Sequence, residues 1–116
     1  MLLTTILFSS LIGSPQLERP HLTLAQGYIE SNMNRKAVGK KGEKGAWQVR
    51  EKYWGKVPKD LLGQAKQAER ILNGRSLENC NSMHIALIRY NGRGRAAVLY
   101  ANKVRQKAIE IALMFV

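Results

Sequence analysis

Apolar residues along this chain recur mostly at intervals of three and four, with polar and charged residues between them, the spacing of helices buried on one face. Over residues 20–32, Leu22, Ala25, Tyr28 and Ile29 share such a face, and Pro20 suits a first helical turn. From Asp60, a side chain fit to cap a helix, Leu61, Ala65, Ala68 and Leu72 keep the period until Asn73-Gly74, which predicts the clearest helix of the chain. Another is expected from about Ser82, carrying Met83, Ala86, Leu87 and Tyr90 and ending at Asn91-Gly92. The last starts near Ala96 and aligns Ala97, Ala101, Val104, Ala108 and Ile111. Ala46, Trp47 and Val49 predict a short helix reaching about Tyr53, closed by Trp54-Gly55 and Pro58. Residues 34–44 break the pattern: Gly39, Gly42 and five Lys or Arg predict an irregular surface loop. No useful run alternates with period two, and nothing repeats, so the expected fold class is all-α.

A length of 116 residues allows one domain with one modest core, here expected over residues 16–116. Residues 1–15 stand apart. Leu2 to Ile12 form an apolar run of signal-peptide length, broken by Gly13-Ser14-Pro15, but without a basic leader and too short for the ~20 residues of a spanning helix. An exported or membrane-surface segment and a plain packed helix are both open for it. The apolar C-terminal run, residues 108–116, is expected to pack against that segment or against another protein. Cys80 has no second cysteine to pair with and reads as a small buried residue.

Charge changes the picture of the partner more than of the fold. Nineteen Lys and Arg against eight Asp and Glu give +11, which favours a polyanion such as nucleic acid, anionic lipid or the bacterial wall without choosing among them. His21, Cys80 and His84 lack the ligand number and spacing of a zinc site. Trp47, Tyr53 and Trp54 are of a type that stacks on sugar rings, though their spacing suits a core.

Three polar or glycine-rich junctions interrupt the helices: Glu30-Ser31 at the end of one, Gly45-Ala46-Trp47-Gln48-Val49, and Arg89-Tyr90-Asn91-Gly92-Arg93-Gly94-Arg95. A carboxylate at a helix C-terminus opposes the macrodipole, which tends to raise its pKa. In order and interval, with Ala37-Val38 leading into the glycine loop, these segments resemble the lytic transglycosylases of the soluble type within the lysozyme-like superfamily, whose motifs run Glu-Ser, Gly-Leu-Met-Gln and Ala-Tyr-Asn. The resemblance covers about residues 22–104, and Gly39 stands where relatives often carry Ser.

The resemblance implies a lysozyme-like domain with a substrate cleft between helices, acting without cofactor or metal on peptidoglycan glycan strands. It makes Glu30 the catalytic acid/base, Gln48 an amide that orients the sugar chain, and Tyr90 and Asn91 a pair supporting the acid and contacting substrate. Tyr100 becomes the aromatic expected soon afterwards, and Ser31 a residue that holds the helix end. It also implies a periplasmic or wall location, exported or virion-associated, with phage-particle or secretion-apparatus proteins as partners.

Carboxylate count points the same way. Ordinary glycoside hydrolysis uses two carboxylates about 5 to 9 Å apart. Asp60 is the sole Asp and opens a distant helix, while Glu43 lies among Lys41 and Lys44 and suits a solvated loop. One acid suffices if the muramyl N-acetyl group supports the developing cation and its 6-hydroxyl attacks, leaving a 1,6-anhydro end. For that route Glu30 must arrive protonated, with burial beside an aromatic such as Tyr90 raising its pKa. A goose-type lysozyme, delivering water in place of the 6-hydroxyl, is the near alternative. A basic nucleic-acid-binding module, touching phosphates through Arg35 to Lys44 and Asn91 to Arg95, is the distant one.

Overall fold

A computed structural model describes residues 11–76, 87–88, 90 and 94–114. They are mostly helical, with almost no strand, an all-α fold. We number the helices α1 (Pro20–Ser31), α2 (Glu51–Trp54), α3 (Leu61–Ile71) and α4 (Arg95–Met114). Leu87, Ile88 and Tyr90 are helical too, whereas the expected start of that helix at Ser82 and its end at Asn91-Gly92 lie outside the described residues, as do Cys80 and His84.

Helix α1 packs along α4 and against α3, and their facing side chains make the core. Leu24, Trp47, Leu72, Leu87, Val104 and Ile111 are fully buried within it. On α4 the predicted stripe holds, with Ala97, Ala101, Val104 and Ile111 buried and Ala108 packed against the core. At the N-terminal side Leu11 and Leu17 are buried in the same cluster. In the apolar C-terminal run, Ile111 is buried but Leu113 and Met114 are exposed. No helix among the described residues is long and apolar enough to cross a membrane.

Helices α1 and α3 are each started by a carboxylate, from different sources. Asp60 caps its own helix, accepting the Gly63 N–H at 3.0 Å. Helix α1 takes its cap from α3: buried Glu69 accepts the backbone N–H groups of Glu18 and Arg19 at 2.9 and 2.8 Å and the Thr23 hydroxyl at 3.2 Å. An anion there meets the positive end of the α1 dipole and is satisfied by three donors, so its burial needs no counter-ion. The two helices are thereby locked together at one end.

Two expectations are corrected. Gly74 does not stop the third helix, because past Ile71 the winding loosens into a π-helical turn, Leu72–Ser76. Nor do Ala46, Trp47 and Val49 sit in a helix. Gly45 and Gln48 take left-handed φ of 82° and 51°, which no right-handed helix admits, and Lys44 bridges both Val38 and Val49. Residues 45–48 form a tight turn, and the helix begins only at Glu51.

Candidate active site

Glu30 occupies the last turn of α1, largely buried. Removal from water pushes its carboxyl from 4.5 up to about 7; a hydrogen bond from Tyr100 opposes the rise, and the negative charge of Glu43 adds to it. Tyr100 projects from α4 and is itself buried. Burial, then the Glu30 charge, drives its phenol well above the ordinary value, so it stays a donor. Gln26, one turn before Glu30 on α1 and fully buried, donates to the Tyr100 oxygen at 3.4 Å. The order is Gln26 to Tyr100 to Glu30, with the Gln26 Oε1 lacking a partner among the described residues.

Tyr90 also stands in the field of Glu30: burial first, then that negative charge, raises its phenol. Its hydroxyl, however, donates to the Trp47 carbonyl at 3.3 Å. Thus of the two tyrosines singled out in the sequence, Tyr100 carries the bond to Glu30 and Tyr90 steadies the turn behind it. Asn91 lies outside the described residues.

The 45–48 turn is fixed from several sides. Trp47 is buried, and its indole N–H donates to the Thr23 carbonyl at 2.7 Å on α1. Its ring lies so close to Gly27 that a Cβ there would be 2.9 Å from it and 2.7 Å from the Met33 sulfur, so only glycine permits this approach. Ser31 donates to the Ala46 carbonyl at 2.8 Å and accepts the Asn34 N–H at 3.0 Å, tying the end of α1 to the turn. Just past it, Asn32 and Met33 both take left-handed φ, 58° and 64°, which reverses the chain sharply beside Glu30. Of the other aromatics, Trp54 packs against the core while Tyr53 is exposed near Arg50 and Lys52.

Gln48 uses its amide N–H on the Gly45 carbonyl, at 2.9 Å. Its Oε1 faces Gly39 together with the Glu43 carboxylate: a Cβ on Gly39 would lie 2.6 Å from the former and 2.8 Å from the latter. Glu43 is half-buried, and hydrogen bonds from its own backbone N–H and from that of Lys41, at 2.7 Å, hold its carboxyl below the usual range. Glu43 is thus a loop residue held by its own loop's backbone, as the sequence suggests, and it adds a negative charge to the surroundings of Glu30. Its charge reaches Glu30, and its carboxylate and the Gln48 amide oxygen both lie over Gly39.

Gln64, buried on α3, was not singled out in the sequence, yet it binds three loops. Its Oε1 accepts the Ala46 N–H at 2.8 Å, and its amide donates to the Arg35 and Pro58 carbonyls at 3.0 and 2.8 Å. Gln26 was missed as well. Its only signal is its place four residues before Glu30, on the same helix face.

Compared with protein-family models, curated proteins and solved structures, the chain matches none. Function is therefore argued from the chemistry of the site. A buried carboxyl half-protonated near pH 7 is matched to general acid/base work. A phenol held as donor fixes its orientation, an ionised carboxylate stands nearby, and an amide oxygen lies over Gly39 on the same side. Among the described residues no group of His, Cys, Asp and Glu is placed to hold a metal ion.

Proposed function

We propose that the chain is a peptidoglycan-cleaving muramidase of the lytic transglycosylase type, with the site in a lysozyme-like cleft. The observation that carries this reading is Glu30, a buried carboxyl poised at about 7 and oriented by Tyr100. In the proposed reaction Glu30 gives its proton to the glycosidic oxygen as the bond from muramyl C1 to that oxygen breaks. The N-acetyl oxygen supports C1, the muramyl 6-hydroxyl attacks it, and the hydroxyl proton passes to the Glu30 carboxylate, restoring the acid. Gln48, Tyr90 and Asn91 are proposed to line the path of the glycan. A wall enzyme of this kind works outside the cytoplasm, exported or carried in a phage particle or secretion apparatus, and +11 of charge suits an anionic wall.

A specific observation favours a second outcome, hydrolysis: Glu43 is ionised within the field of Glu30 and has the chemistry to take a proton from water. Digestion of purified sacculi separates the two. The expected products carry 1,6-anhydromuramyl ends; reducing ends select the hydrolase. Release of neither, beside an active control enzyme, sinks both.

A further inference from the structure

A phenol has one hydrogen to give and an oxygen able to accept, so Tyr100 has two ways of meeting Glu30. In one, the phenol donates to a carboxyl oxygen. In the other, the neutral acid donates to the phenol oxygen, and its proton is spent inside the protein. Only the first leaves the acid proton on the oxygen turned away from Tyr100, ready for a bond outside the pair. The group on the far side of the phenol decides between them. That group is Gln26, four residues before Glu30 on the same face of α1 and fully buried, whose Nε2 donates to the Tyr100 oxygen at 3.4 Å. A donor there occupies the phenol oxygen and leaves the phenol hydrogen for Glu30.

The other end of the same amide bears on its role. The Gln26 Oε1 is buried with no hydrogen-bond partner among the described residues. A buried oxygen without a partner is unfavourable, and an apolar side chain of the same length would fill the site without it, so the glutamine is explained by its Nε2. Turned over, the amide would take the phenol hydrogen for itself and leave the Glu30 carboxylate without its donor. The remaining groups facing Glu30 do not replace Tyr100. Tyr90, from its own helical segment, gives its hydrogen to the Trp47 carbonyl, and the ionised Glu43 of the loop has none to give.

We propose that Gln26 is a positioning residue: acting through Tyr100, it keeps the Glu30 proton on the carboxyl oxygen that faces substrate. The role rests on the reading of Glu30 as the acid of a wall enzyme, but the carboxyl titration that tests it needs no substrate. The experiment follows the Glu30 carboxyl carbon by NMR through neutral pH in the whole protein, in Gln26→Met, in Tyr100→Phe and in the double variant. Methionine keeps the length of the side chain and removes both donor and acceptor. Without the amide the neutral acid gains the phenol oxygen as acceptor and the phenol becomes a weaker donor, so the Glu30 midpoint is expected to rise by about half a pH unit, about threefold in proton affinity. With Phe at position 100 the same substitution is expected to change nothing, since Gln26 then has no hydroxyl to act through. On solubilised glycan Gln26→Met is expected to lower kcat about threefold while KM holds, because a proton turned inward is lost to the reaction and not to binding. In the parent protein the side-chain amide signals of Gln26 are expected to move with the Glu30 midpoint, a readout that requires no variant to fold. An unmoved midpoint in Gln26→Met, equal shifts with and without the Tyr100 hydroxyl, or Gln26 amide signals indifferent to the Glu30 titration overturns the proposal. A moved midpoint in a protein that cuts no sacculi counts against the muramidase reading alone. Cleavage with an unmoved midpoint counts against the role of Gln26 alone.

Discussion

Replacing Glu30 by Gln removes the ionisable group while keeping its size and an oxygen for the Tyr100 hydroxyl. The carboxyl stands at 4.5 unfolded and about 7 folded, so between those values the folded chain holds a proton that the unfolded chain releases. Stability from this group is full below pH 4.5, falls as pH rises, and is gone above about 7. At about 1.36 kcal/mol per pH unit the displacement amounts to ~3 kcal/mol. Urea denaturation of both proteins from pH 4 to pH 8 measures it. Glu30→Gln is expected to gain on the parent with rising pH, reaching ~3 kcal/mol near pH 8, while cleavage of sacculi is lost. Gain in stability with loss of function marks a group held in place for its chemistry. A difference between the two proteins that does not change with pH refutes the buried, raised carboxyl, and retained cleavage refutes its role.

Tyr100→Phe removes the bond that favours the Glu30 carboxylate, so the upper pH limit of activity moves to higher pH in rate profiles on solubilised glycan. Glu43→Gln acts with the opposite sign: losing a like charge lowers the Glu30 pKa and shifts the same limb to lower pH. Gly39→Ala sets a methyl against Gln48 and Glu43, whose flexible ends must swing away; melting changes by less than about 1 kcal/mol, but activity falls tenfold or more. Gln64→Leu strips partners from three backbone groups and costs ~3 kcal/mol in denaturant titration, at about 1 kcal/mol per bond.

Where structure follows local rules, the sequence was readable. Asp60 ahead of an apolar helical stripe announces a capped helix, and Pro20 with Leu22, Ala25, Tyr28 and Ile29 announces another. The 45–48 turn was misread because Ala46, Trp47 and Val49 are buried by contact with α1 and α3. Burial without helical winding leaves much the same apolar signature, and a left-handed Gln has no sequence mark. The choice between two tyrosines was equally beyond local pattern. Tyr90 and Tyr100 both lie on helical segments near the candidate acid, and only the packing of α4 on α1 decides which hydroxyl reaches it. Asp60 and Glu30 show the contrast in one chain: a cap is written in its next three residues, whereas a raised carboxyl is written in distant ones.

Gln64 grips its three loops by backbone atoms alone, and this has a meaning for how such a protein changes over generations. A carbonyl or N–H is the same whatever side chain accompanies it, so position 35 is free to vary in chemistry without loosening the grip, and position 46 excludes proline for lack of an N–H. Architecture and recognition are thus written in separate atoms of the same residues, which lets selection rewrite what the surface reads while the acid beside it keeps its surroundings.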